Sequence, residues 1–300
     1  MLKGYLDDWV YNLIVKNFSF KDINEIRMRV NENIIICIKN KKYYLKNNNE
    51  FVKATKTMID NFLLKASEHS LYAFNDAIKN GYITLKQGIR VGVCGYVVKS
   101  ENQVVTIKDF YSINIRIPHE IKNCSLIAYD FIAGSEVKNT LIISSPGAGK
   151  TTFLRDFVWQ LYQHNIPQNV LIVDERNEIC CLRDGESFFD FGAFCDVYTN
   201  CDKSFALNSG IRSMNPDVII TDEIDLNKDM EAILSAINCG VKVVATIHAK
   251  DIEQLKKKNN FDAILKNKLF ERFVILSKDE GPGTLTYIYD ENLNPIYFRS

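Results

Sequence analysis

With 300 residues, 46% of them hydrophobic, the chain is long enough for one large or two ordinary domains with ample core. Its 37 basic residues balance its 37 acidic ones, so no global electrostatic pull draws it to nucleic acid or an anionic membrane surface. Eight cysteines with no C-x-x-C pair or zinc-type spacing read as reduced, mostly buried thiols, and no apolar run reaches signal-peptide or membrane-spanning length, so a cytoplasmic chain that meets a membrane only through partners is expected.

In chain order, residues 23–30 and 34–38 read as strands, 56–67 as a helix with apolar spacing, and 81–117 as a series of short strands broken by glycines. Lys39-Asn40-Lys41-Lys42 and Asn47-Asn48-Asn49-Glu50 mark exposed turns on either side of a short run, Tyr43-Tyr44-Leu45. Together they predict a smaller N-terminal α+β domain over 1–135. The stretch Gly134-Ser135-Glu136-Val137-Lys138-Asn139 separates it from a second domain over 136–300.

From 140 onward, apolar strands at 141–144, 170–174, 218–222, 241–248 and 273–276 alternate with helical stretches, the pattern of an α/β parallel sheet covered on both faces. The first of them leads into Ser144-Ser145-Pro146-Gly147-Ala148-Gly149-Lys150-Thr151-Thr152 and then a helical run, 153–161, which is the setting of a P-loop (Walker A). Gly147 and Gly149 let the backbone curl with its N–H groups inward, and the helix N-terminus adds partial positive charge. Lys150 is expected to reach the β- and γ-phosphates of ATP, and Thr151 to ligate Mg²⁺. One position departs from G-x-x-x-x-G-K-[ST]: Ser144 stands where the pattern has glycine, which matters if that turn needs φ > 0.

The later strand ends carry the rest of the chemistry. Phosphoryl transfer needs one carboxylate on the metal and another to orient or deprotonate water, roles that Asp222 and Glu223 fit at the end of the strand at 217–221. After the strand at 170–174, Glu175 is a candidate to share the water-activating role and Arg176 to pair with a carboxylate or to cross a subunit boundary. His248 closes the strand at 243–247 and reads equally as a γ-phosphate sensor or a local hydrogen-bond partner. His69, His119, His164 and the Cys180-Cys181 pair read as structural. The whole describes a RecA-like P-loop NTPase core with a smaller N-terminal α+β domain.

Several strings, in this order, carry a resemblance over nearly the whole chain. They are Ser70-Leu71-Tyr72-Ala73, Gly81-Tyr82-Ile83-Thr84, Arg90-Val91-Gly92-Val93-Cys94-Gly95, Ser112-Ile113-Asn114-Ile115-Arg116, Val173-Asp174-Glu175-Arg176, Arg212-Ser213-Met214-Asn215-Pro216-Asp217, Asp222-Glu223-Ile224 and Ala245-Thr246-Ile247-His248. Together they resemble the stage III sporulation AA family of endospore-forming bacteria. The resemblance implies an ATP-hydrolysing, Mg²⁺-dependent AAA/RecA-like motor related to the type II and type IV secretion ATPases. It also implies a homo-oligomeric ring, a hexamer, in the mother cell, peripheral to the membrane and docked on channel proteins of the stage III sporulation complex facing the forespore. By the same resemblance Asp222-Glu223 is similar to the Walker B element, Glu175 to the acidic box and His248 to the histidine box, while Arg90 and Arg116 are similar to arginines that the N-terminal domain supplies to the nucleotide. The chain departs from the family at Ser144-Ser145, commonly Gly-Pro, and at Asp225, commonly glycine. Two other readings stay open. One is a RecA-like ring acting on single-stranded nucleic acid, for which Lys256-Lys257-Lys258 is the only run of three basic residues, although no direct nucleic-acid contact is expected. The other is an assembly scaffold that binds ATP and barely hydrolyses it.

Overall fold

The computed structural model describes residues 2–39, 41–67, 78–79, 81–101, 103–164, 168–183, 185–281 and 283–299. His69 and the string Ser70-Leu71-Tyr72-Ala73 lie outside the described residues. The chain divides into two compact units, Met1–His119 with Arg183–Phe188, and Glu120–Leu182 with Phe189–Ser300.

In the first unit, helix α1 (Asp8–Asn17) buries Val10 and Ile14, which stand four residues apart on one face. Strands β1 (Ile23–Arg29), β2 (Ile35–Ile38) and β3 (Lys41–Tyr44) follow, then a separate small hairpin, β4 (Lys46–Asn47) with β5 (Glu50–Phe51). Helix α2 (Lys56–Ala66) starts at Thr55, whose Oγ1 accepts the Met58 N–H at 3.2 Å, and it buries Ile59, Phe62, Leu63 and Ala66. With β6 (Tyr82–Thr84), β7 (Arg90–Ser100) and β8 (Gln103–Arg116), a six-stranded sheet forms in the order β3-β2-β1-β8-β7-β6, antiparallel at every pair. Residues 81–117 therefore hold two long strands rather than a run of short ones. Their glycines mark a bulge and not a break: the register shifts between Cys94 and Tyr96, and a Cβ on Gly95 would stand 2.5 Å from the Lys108 carbonyl oxygen.

The second unit begins earlier than the glycine-bearing stretch at 134–139. Helix α3 (Leu126–Ala133) belongs to it because Asp156, on helix α4 (Lys150–Gln163), accepts the N–H groups of Asn123 and Ser125 at 2.7 Å each and the Ser125 hydroxyl at 2.6 Å. The division thus falls at His119/Glu120 and not near 135. The remaining elements are β9 (Thr140–Ser144), β10 (Val170–Asp174), β11 (Cys195–Thr199), α5 (Lys203–Ser213), β12 (Val218–Thr221), α6 (Met230–Asn238), β13 (Lys242–His248), α7 (Ile252–Lys256), α8 (Phe261–Lys266), β14 (Arg272–Ser277), β15 (Thr284–Tyr289) and β16 (Pro295–Phe298). The sheet runs β11-β10-β12-β13-β9-β14-β15-β16, parallel from β11 through β14 and antiparallel for the last two strands.

Every residue of β9, β10 and β12 is buried, which is why their sequences are continuous apolar runs rather than alternating ones. Parallel strands put their C-terminal ends on one edge, and there the register sets Ser144 between His248 and Leu276, and Thr221 between Val173 and Ala245. The P-loop, Asp174, Asp222 and His248 therefore share one sheet edge by topology alone. Among the described residues no helix is long and apolar enough to cross a membrane.

Candidate functional site

The P-loop leaves β9 at Ser144, a buried strand residue that adopts no left-handed backbone, so the position makes no demand that only glycine meets. The demand falls later, at Gly147 (φ 74°) and at Gly149 (φ 91°), the cap of α4. Ala148 donates its N–H to the Ser145 carbonyl at 3.2 Å, and Gly283, in the turn between β14 and β15, donates to the Ala148 carbonyl at 2.7 Å. The first intrahelical bond of α4 runs from Phe153 N–H to the Gly149 carbonyl at 2.8 Å. The N–H groups of Lys150, Thr151 and Thr152 therefore belong to the unpaired first turn of a helix, a cradle of donors that fits a polyphosphate.

Lys150 is buried, and its Nζ stands 2.7 Å from His248 Nδ1 and 3.5 Å from the Ser144 carbonyl oxygen. Burial pushes the ammonium below its ordinary range, while Glu223 and Asp222 push it back up. An ammonium has only donors, so His248 Nδ1 must accept, and its Nε2–H is then free to donate to Glu223 Oε1, 2.8 Å away. Glu223 Oε2 receives Arg176 Nη1 at 3.2 Å. Lysine, histidine, glutamate and arginine thus form one continuous chain across the ends of β9, β13, β12 and β10.

The backbone under Glu223 is held from two sides. Its N–H donates to Thr246 Oγ1 at 2.8 Å, its carbonyl accepts from Lys203 Nζ at 3.1 Å, and its own φ is 36°, a left-handed conformation for a residue with a long side chain. Lys203 is buried and also meets Glu175 Oε2 at 3.5 Å and Asp229 Oδ2 at 3.8 Å, so Glu175 touches the site through this lysine. Neither Lys203 nor Thr246 is a functional candidate by motif. A lysine at the first position of a helix, behind the Asp202 cap, opposes the helix dipole, and that is the one local signal that an acidic partner stands nearby.

Asp222 is buried, takes no side-chain hydrogen bond or ion pair among the described residues, and is pushed up to about 7, first by burial and then by the nearby Asp174. A divalent cation would relieve that charge. Mg²⁺ takes one or two protein oxygens and completes its shell with phosphate and water. Thr151, in the first turn of α4, and Asp222 are the residues that fit it.

Arg90 and Arg116 lie in the first unit, where the β7/β8 register makes them direct cross-strand partners. Two like charges opposite one another oppose pairing, and here Tyr82 packs under the Arg90 guanidinium at 3.7 Å while Glu25 stands 3.8 Å from Arg116 Nε. His119 bonds the Ile23 carbonyl oxygen at 2.9 Å and His164 stacks on Tyr129 at 4.2 Å, both structural. All eight cysteines are free thiols; Cys37, Cys180 and Cys181 are buried, but Cys94 and Cys239 are exposed, so burial is less general than the composition suggests.

Comparison with known proteins adds three findings. A family described as sporulation stage III, protein AA, matches residues 10–295. Stage III sporulation protein AA of Bacillus subtilis (strain 168) is 34% identical over 279 residues, 92% of this chain and 89% of that protein. Among solved structures, the pilus retraction motor PilT with bound ADP superposes with a TM-score of 0.59 at 13% identity, covering 89% of this chain and 76% of that one. The Legionella pneumophila ATPase DotB superposes with a TM-score of 0.54 at 12% identity, covering 89% and 75%. These likenesses show the fold, a RecA-like ATPase core.

Proposed function

The chain belongs to the sporulation stage III protein AA family, and from that premise we propose that it is an ATP-hydrolysing, Mg²⁺-dependent motor. It works as a homo-hexameric ring in the mother cell, held at the membrane by channel proteins that face the forespore. The observation that carries the reading is the chain from Lys150 through His248 to Glu223, set beside a buried Asp222 that is pushed up to about 7 on the P-loop edge. When bound, Mg·ATP supplies the transferable γ-phosphoryl group. Lys150 exchanges His248 for phosphate oxygen, Thr151 and Asp222 hold the metal, and Glu223 orients the attacking water. Glu175 acts through Lys203 on the Glu223 backbone, and Arg90 and Arg116 are the arginines that stabilise charge on the nucleotide during transfer. The likeness to a pilus retraction motor with bound ADP supports this reading, as does the extended backbone at Ser144, which removes the motive for a non-hydrolysing scaffold.

Phosphate release from ATP by the full chain tests the proposal. Lys150→Ala is expected to abolish ATP binding; Arg90→Ala and Arg116→Ala are expected to bind ATP within a few-fold of the parent and to lose most hydrolysis. Unchanged ATP affinity in Lys150→Ala would end the P-loop reading, and parent-like turnover in both arginine variants would confine the catalytic groups to the second unit.

A further inference from the structure

A cavity of about 490 Å³ is lined by Glu223 and His248, with Asp225, Asn227, Lys257 and Lys258 among its other lining residues. Its walls are fastened to each other. Asn260, in a left-handed conformation (φ 66°), donates through Nδ2 to the Leu226 carbonyl at 3.2 Å and to Asn227 Oδ1 at 3.1 Å, tying the turn after α7 to the loop after β12. That bond uses the acceptor of Asn227 and leaves its amide N–H₂ as a donor.

The charges around the cavity are unequally satisfied. Of the three consecutive lysines, Lys256 is paired with Glu253 at 2.8 Å, while Lys257 and Lys258 have no carboxylate partner among the described residues. On the acidic side, Glu223 already meets His248 at 2.8 Å and Arg176 at 3.2 Å, and Asp225 accepts the Asn227 N–H at 2.8 Å. Asp225 remains a carboxylate without a cation partner among the described residues, and against it stand two ammonium ions and an amide donor, groups that take a tetrahedral oxyanion. A solvated helix face accounts for Lys256. Exposed Lys257 and half-buried Lys258 differ from it in lining the same cavity as the water-orienting glutamate.

We propose that this cavity is an exit station for inorganic phosphate, which Lys257 and Lys258 hold as it leaves the site of hydrolysis; the proposal rests on the hydrolytic reading above. The step is non-covalent, so no bond forms or breaks in it. Lys150 Nζ is 2.7 Å from His248, and His248 and Glu223 are shared by the P-loop edge and the cavity. Phosphate released beside Lys150 is therefore released next to that shared wall.

The test is a phosphorus NMR titration of inorganic phosphate into the full chain without nucleotide, with product inhibition of turnover measured alongside. Binding is expected to persist in Lys150→Ala, to weaken about tenfold or more in the Lys257→Ala/Lys258→Ala double variant, and to return in Lys257→Arg/Lys258→Arg. The double alanine variant is also expected to need about tenfold more phosphate for the same inhibition. Binding lost in Lys150→Ala and parent-like in the double alanine variant would assign all phosphate to the P-loop and overturn the proposal; so would absence of binding by the parent at inhibitory phosphate concentrations. A parent that binds phosphate through the two lysines yet releases none from ATP would overturn the exit role by failure of the hydrolytic reading, an outcome distinct from the other two.

Discussion

The loops after β10 and β12 begin alike, each with a buried aspartate at the same sheet edge, yet the two carboxylates live in opposite circumstances. Asp174 accepts three backbone N–H groups, from Glu178 at 2.7 Å, Ile179 at 2.9 Å and Cys180 at 2.8 Å, and the half-buried Arg155 braces the same loop by donating to the Ile179 carbonyl at 2.7 Å. Asp222, next to it in the sheet order, accepts none and is pushed up to about 7. Burial raises both acids, so burial does not separate a structural carboxylate from a chemical one. The supply of donors does: the protein completes Asp174 from its own chain and leaves Asp222 to be completed by something else.

The largest expected effect that sharpens this contrast is on folding. Asp174→Ala strands the buried N–H groups of Ile179 and Cys180 and the half-buried one of Glu178, and at about 1–3 kcal/mol for each buried group the second unit is expected to lose about 2 kcal/mol or more. Chemical denaturation reads it directly, and a loss below about 1 kcal/mol would mean that Arg155 alone holds the loop.

Next comes chemistry. Glu223→Gln keeps the shape and the His248 contact but loses the base, so turnover is expected to fall about 100-fold or more with ATP still bound. A parent-like rate would move the water-orienting role to Glu175. Asp222→Asn is expected to act in the other direction on stability, raising it by about 1 kcal/mol in the absence of nucleotide because a charge that burial disfavours more than its lysine neighbours favour disappears, while the Mg²⁺ dependence of ATP binding is lost. A thermal melt showing destabilisation would break the comparison, since it would reveal a partner for Asp222. The smallest effect is expected at Glu175→Gln, whose half-exposed contact with Lys203 is one of three that this lysine makes. Turnover there should drop only a few-fold, and a loss as deep as that of Glu223→Gln would give Glu175 the leading role.

Much of the second unit is legible in the sequence because its signals are local. The five apolar strands at the core are continuous runs, and the P-loop glycines, Asp222-Glu223 and His248 each fall at the end of one of them. The parts that escape are those whose reason lies elsewhere in the chain. Strand β11 is only half-buried, so no apolar run announces it. The sequence of α3, Leu126 to Ala133, is apolar nearly throughout and shows no helical stripe; its place in the second unit is decided by Asp156, thirty-odd residues on. Thr246 and Lys203 matter because of which backbone groups of Glu223 they meet, and no spacing rule encodes a contact between β13, α5 and the loop after β12. The long β7/β8 pair was hidden by its own glycines, which read as breaks until the register shift at Gly95 explains them.

The backbone of Glu223 has one more implication, for anyone who selects variants of this protein. A non-glycine residue at φ 36° carries a conformational cost of about 1–2 kcal/mol, which glycine would not. Glu223→Gly relieves that strain but gives up the His248 and Arg176 contacts and costs about 0.5–1 kcal/mol in chain entropy, so the two sides nearly cancel and a screen for heat resistance alone does not select against losing the carboxylate. Any such screen needs an activity counter-selection at this position, because here stability alone does not tell the working sequence from one without its carboxylate.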